Sequence, residues 1–72
     1  MDEQKILKNF GINFKHYRNK AKMSQDIVAE LAGFSKPYIS NVENGKHNIS
    51  LVNAIKLAKI VNKSVDELIQ DL

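Results

Sequence analysis

The stretch from Ser24 to Asn48, SQDIVAELAGFSKPYISNVENGKHN, decides how this 72-residue chain is read. Ser24 stands where an N-cap is needed, because its hydroxyl can accept an amide hydrogen that a helix leaves unpaired in its first turn. Behind it Val28, Ala29 and Ala32 recur at helical spacing. Gly33 follows, and glycine takes a left-handed turn without steric cost. Ser35 repeats the cap, with Pro37 in the first turn, where a missing N–H costs nothing. Ile39 and Val42 supply an inward face, and Asn44-Gly45 stops the helix. The spacing predicts two helices of about eight residues joined by a tight Gly33-Phe34-Ser35 turn, which is helix-turn-helix geometry. Such a pair also occurs in plain bundles, so geometry alone does not assign a function.

The same periodicity extends outward on both sides. Ile6, Leu7, Phe10, Phe14 and Tyr17 recur three and four residues apart, predicting an amphipathic first helix through about Lys20. Gly11 within it argues against one unbroken helix. Downstream, Ser50 caps a fourth helix with an expected inward stripe of Leu51, Ala54, Ile55, Ala58 and Val61. Ser64 opens a fifth over about residues 64–71, with Glu67 three residues on as a capping box, then Leu68, Ile69 and Leu72. No stretch alternates as an exposed strand would, and there is no repeat or interdomain linker. The expectation is an all-α, single-domain bundle of five short helices over residues 1–72.

Composition narrows the function classes. At 43% hydrophobic and 26% charged residues the chain is too apolar for disorder, and no apolar run approaches the roughly 18 residues of a membrane span. The acidic start Met1-Asp2-Glu3 does not read as a signal peptide. Cysteine is absent, which excludes disulfides, thiolate metal sites and cysteine nucleophiles and fits a reducing cytoplasm. All eleven Lys and Arg lie between Lys5 and Lys63, a stretch with only three acids, Asp26, Glu30 and Glu43. A basic body between acidic ends suits a polyanionic partner, although small domains often run mildly basic.

Several separate signatures then match one family in order. Ser24-Gln25, Val28-Ala29-Glu30-Leu31-Ala32-Gly33-Phe34-Ser35, Tyr38-Ile39-Ser40-Asn41-Val42-Glu43-Asn44-Gly45-Lys46 and Ser50-Leu51 resemble the Cro/phage-repressor helix-turn-helix family. Ala54, Leu57-Ala58 and Val65-Asp66-Glu67-Leu68 continue the pattern, so the resemblance runs from Phe10 to Ile69. It implies a lambda-repressor-like fold that binds operator DNA, usually as a two-fold dimer, and regulates transcription. Ile49 stands where proline is commoner in the family, and that departure resembles the similarly short controller proteins of restriction–modification systems.

The resemblance also implies roles. Gln25 would touch a phosphate and brace the second motif helix, its bland alternative being an ordinary first-turn residue. Ser35, Lys36, Pro37, Ser40 and Asn41 fall at groove-facing positions. Lys36 can donate to guanine O6/N7 or meet phosphate alone, and Asn41 can pair bidentately with adenine. Pro37 departs from the pattern, since it can touch a thymine methyl but cannot hydrogen-bond a base edge. Tyr38 would lie against the DNA backbone or half-bury its ring. Asn44, Lys46, His47 and Asn48 would follow the phosphates, with a pH-sensitive role for His47 as the competing reading. Arg18 and Glu43 match an internal salt bridge of several relatives.

An enzyme reading finds little support. His16 and His47 have no ligand-spaced partners, and the serines stand where caps are needed. Nothing in the sequence points to a metal, a cofactor or a small-molecule pocket. The alternative is a protein-interaction module, since the fold also serves in antitoxins and coactivators. Against it stands a segment from Phe34 to Val42 without acids. With no separate dimerisation domain in the sequence, the homodimer contact is expected from the fifth helix, through Val65, Ile69 and Leu72, while Leu68 completes the core. A promoter-bound dimer would block RNA polymerase or touch it.

Overall fold

A computed structural model describes residues 2–72 as five helices: α1 (Glu3–Lys20), α2 (Gln25–Ala32), α3 (Lys36–Glu43), α4 (Leu51–Ile60) and α5 (Val65–Leu68). Each begins at a polar cap. Asp2 accepts from the Gln4 amide, and Ser24, Ser35, Ser50 and Ser64 accept from the amide three residues on. Four helices end in a left-handed residue, namely Lys22, Gly33, Gly45 and Asn62. In each case the next amide reaches back to a carbonyl of the last turn, as Phe34 does to Ala29 O at 2.9 Å.

One fully buried side chain comes from every helix: Phe14, Val28, Ile39, Leu57 and Leu68. They converge because each helix has a single apolar stripe, and the only way to remove five such stripes from water is to face them together. α1 packs on α3 and α5, while α2 bridges α3 and α4. Among the described residues no helix is long and apolar enough to cross a membrane, and no group of His, Cys, Asp or Glu could hold a metal ion.

Three local expectations are corrected. Gly11 does not interrupt α1: it is buried where the helix crosses the end of α3, and an added Cβ would lie 2.5 Å from Val42 O. The inward stripe of α4 is Ala54, Leu57 and Ala58, followed by Val61, whereas Leu51 and Ile55 face out. Leu57 takes the central place because it sits opposite the exposed arc, in phase with Ala54, Ala58 and Val61. Finally, α5 is one turn long rather than reaching residue 71. Beyond it the chain is tied by side chains of α1: Asn9 Nδ2 donates to the Asp71 carboxylate at 3.0 Å, and Asn13 Nδ2 to Leu68 O at 2.8 Å and Gln70 O at 3.0 Å.

Candidate nucleic-acid interface

α3 divides along its length between two tasks. Ile39 and Val42 are buried against the other helices, which leaves Lys36 and Pro37 exposed in its first turn and Ser40 and Asn41 half-buried beside them. Ser35 Oγ accepts the Tyr38 amide at 3.2 Å as a cap, which leaves its O–H hydrogen free to donate. Lys36 Nζ stands 3.6 Å from Asp26 Oδ2 on α2, with both side chains largely in solvent. Such a pair contributes little to stability and leaves the ammonium free to exchange partners.

The helix is braced from behind by a buried ion pair. Arg18 of α1 donates from Nε to Glu43 Oε2 at 2.6 Å and from Nη2 to Oε1 at 3.0 Å, a two-pronged contact with both side chains almost wholly out of water. Arg18 Nη1 also donates to Met23 O at 2.8 Å, and Gln25 Nε2 donates to Glu43 Oε1 at 3.0 Å. Gln25 therefore ties the start of α2 to the end of α3 with one of its two amide hydrogens. Among the described residues no buried side-chain nitrogen or oxygen lacks a partner.

The wall beside α3 is aromatic. The Tyr38 ring packs between Phe34, 4.8 Å away by centroids, and His47, 5.0 Å away. Its hydroxyl accepts from Asn53 Nδ2 of α4 at 3.1 Å, which fixes the ring and leaves the O–H hydrogen free to donate. Lys56 covers the outer face of Phe34 with its ammonium 5.6 Å from the ring centre. Asn41 Nδ2 and His47 Nε2 lie 3.4 Å apart.

The loop after α3 splits the remaining candidates. Lys46 is exposed and His47 turns in against Tyr38. Asn44 borders a polar depression with Lys5 and Lys8 of α1, and Asn48 borders an apolar groove instead. That groove, about 330 Å³, is lined by Ile6, Leu7, Ile49, Leu51, Val65 and Ile69, among others. Leu72 lies away from it, beside Asp71 and Lys5. Next to the groove Leu51, Val52 and Ile55 are 70%, 64% and 39% exposed, an apolar patch on α4 that packing inside the chain does not explain.

Asp26, Asn53 and Lys56 were not among the residues expected here. Nothing in their local sequence marks them, because each reaches this face only through a partner distant in sequence: Lys36 for Asp26, Tyr38 for Asn53 and Phe34 for Lys56.

A family model described as helix-turn-helix matches residues 14–68. Control protein C.SmaI of Serratia marcescens is 39% identical over 69 residues, 96% of this chain and 79% of that protein. Control protein C.MunI of Mycoplasma sp. is 36% identical over 73 residues, spanning 100% of this chain and 96% of that one. Among solved structures, the restriction-modification controller protein C.AhdI from Aeromonas hydrophila superimposes with a TM-score of 0.80 at 37% identity, covering 86% of this chain and 94% of that one.

Proposed function

The chain belongs to the helix-turn-helix family, and on that footing we propose that it is a DNA-binding transcriptional regulator that reads a short inverted repeat as a homodimer. The observation that carries the reading is the two-sidedness of α3: one face fixed in the core, the other presenting Lys36, Pro37, Ser40 and Asn41 with no acid between Phe34 and Val42. Entering a major groove by its Ser35-capped end, the helix would bring Lys36 to guanine O6/N7 and Asn41 to adenine, while Pro37 meets a thymine methyl. Lys46 is the natural phosphate ligand, with Gln25 and Tyr38 holding α3 against α2 and α4.

One domain reaches only a few base pairs, so specificity calls for two copies whose α3 helices lie about 34–36 Å apart on one face of the duplex. The domain is 31 Å in its longest dimension, so two copies in direct contact can meet that spacing. The face best suited to the contact is the α4 patch of Leu51, Val52 and Ile55, continuous through the groove with Val65 and Ile69. Leu72, 75% exposed, lines the neighbouring depression with Lys5 and Asp71 and not this groove. Regulation of transcription would follow from a bound dimer blocking RNA polymerase or touching it, and kinship with the control proteins makes a restriction–modification gene the first target to try.

Selection of binding sites from random duplex DNA, at two salt concentrations, tests the proposal. Enrichment of an inverted repeat with half-sites one helical turn apart is the expected result. Steep salt-dependent binding without enrichment would reduce the protein to a non-specific binder. No binding at all would transfer the function to a protein-interaction module.

A further inference from the structure

We infer that Lys8, Lys15 and Lys22 form a row along one flank of α1 that binds the sugar-phosphate backbone beside the groove α3 enters. The inference rests on the DNA-binding role proposed for α3 and extends the interface to a helix outside the motif.

The three lysines are seven residues apart. Seven residues make nearly two helical turns, so Lys8 and Lys15 share one side of α1, about 10.5 Å from each other along its axis. Contacts with the end of α3 fix which side that is. Gly11 lies against Val42 O and Glu43 O, and Arg18 binds the Glu43 carboxylate through two hydrogen bonds. A Cβ at Gly45 would come within 3.2 Å of Lys8 Cα. Positions 8, 11, 15, 18 and 22 follow one another in steps of three and four, which is a single helical stripe. Along it the buried Gly11 and Arg18, which seat α3, alternate with the exposed Lys8 and Lys15. Lys22 continues the series in the turn that leads to the Ser24 cap of α2.

Within the domain these cations have no counter-ion. Glu43 is taken by Arg18 and Gln25, Asp26 faces Lys36, Asp71 faces Lys5 at 3.3 Å, and Asp2 caps α1. Among the described residues no carboxylate forms a salt bridge with Lys8, Lys15, Lys22 or Lys46. Lys8 borders the same depression as Asn44, so the row meets the loop already proposed to follow the phosphates. Charge of one sign along one flank, next to the reading helix, suits a polyanion lying beside it. Lys22 adds a backbone argument. Its φ of 60° is left-handed, a place filled by Gly33 and Gly45 after the next two helices. Lysine is disfavoured there relative to glycine, so the turn itself does not account for a side chain at this position.

The test titrates the intact protein on a selected operator and on a scrambled duplex over a range of salt. Wild type is compared with Lys8→Ala, Lys15→Ala, Lys22→Gly, the triple variant and Lys20→Ala. Each phosphate contact contributes about 0.9 to the slope of log affinity against log salt concentration. Each row variant should flatten the slope by about 0.9 and the triple variant by about 2.7, alike on both duplexes. Lys20 is nine residues from Gly11, two and a half turns, and so stands on the opposite side of α1. Lys20→Ala removes the same charge but should keep the wild-type slope. Lys22→Gly separates binding from folding, because it relieves the left-handed residue: its Tm should equal or exceed that of wild type while its affinity for DNA falls. Methylphosphonate substitution then locates the contacts, since a phosphate whose neutralisation weakens wild type should be indifferent to the variant that lacks its lysine. Row variants with the wild-type slope, or a Lys20→Ala protein that flattens it as much, would overturn the inference and leave operator binding standing. Loss of base preference at one position in a row variant would overturn it as well, by making that lysine a base reader. If wild type binds both duplexes equally, the sequence-reading proposal fails and the slopes still decide the row; no binding to either duplex overturns both.

Discussion

Gly11→Ala opposes two effects whose sizes can be compared. Gly11 lies inside an 18-residue helix, where replacing glycine by alanine ordinarily gains about 1 kcal/mol. The same methyl would sit 2.5 Å from Val42 O, 2.6 Å from Glu43 O and 2.8 Å from the Glu43 carbonyl carbon. These separations are about 1 Å inside the optimal contact of roughly 3.5 Å. The obstructing atoms are backbone, so no rotamer change relieves them, and α1 and α3 must separate along the line that the Arg18–Glu43 pair spans. Overpacking of this kind costs about 1–3 kcal/mol, and rigid neighbours place it at the upper end. The net expectation is a loss of about 2 kcal/mol despite the better helix former. For a domain of this size that corresponds to a fall in Tm of about 10 °C, read by circular dichroism, and a lower urea midpoint at unchanged slope. Gly33→Ala is the useful contrast, because a Cβ there meets nothing within 4 Å and only its φ of +74° resists. A Gly11→Ala protein as stable as wild type would refute the reasoning, since it would mean that α1 and α3 do not approach as closely as described.

Glu43→Ala should cost about 3–5 kcal/mol in thermal unfolding, because it strands the buried Arg18 guanidinium, and replacing both residues with Met should recover most of the loss. Lys36→Ala should relax base preference at one position, whereas Lys46→Ala should weaken binding to all duplexes alike and flatten the salt slope, as titrations on matched and scrambled DNA will tell. Ile55→Asp should leave a folded monomer but abolish preference for two half-sites over one, measured by sedimentation and by half-site competition. Acid should loosen the C-terminal end first. The Ser64 amide and hydroxyl bound to Glu67 hold its carboxyl below the usual range, as the Asn9 amide and then the Lys5 ammonium do for Asp71. Both carboxyls bind protons more weakly when folded, so their contribution is complete above the ordinary carboxylate range and fades as pH falls through the lowered values. Amide exchange in α5 should therefore quicken on acidification before the core opens, and Glu67→Gln should blunt that response.

Local chemistry written into consecutive residues is legible without a structure. Ser24, Ser35, Ser50 and Ser64 mark helix starts because a cap bonds an amide three residues away, and Gly33 and Gly45 mark helix ends because a left-handed residue is needed there. The Ser24–Asn48 stretch accordingly announces α2, the turn and α3 by itself, and the inward places of Val28, Ile39 and Val42 follow from spacing.

The tertiary structure decided whatever depends on a partner far along the chain. Helical spacing says that α4 has an apolar arc but not which part of that arc is covered. Packing against α2 and α5 buries Leu57 and leaves Leu51 and Ile55 outside, where they are free for a second chain. Gly11 read alone weakens a helix; beside Val42 and Glu43 it is the residue that lets two helices touch. Tyr38 and His47 read alone are two surface groups; in the fold the Tyr38 hydroxyl accepts from Asn53, and the His47 ring packs on Tyr38 with Nε2 3.4 Å from Asn41 Nδ2. Caps and turns close over a few residues, so sequence determines them. The reading face is set by contacts between helices, and those exist only once the chain has folded.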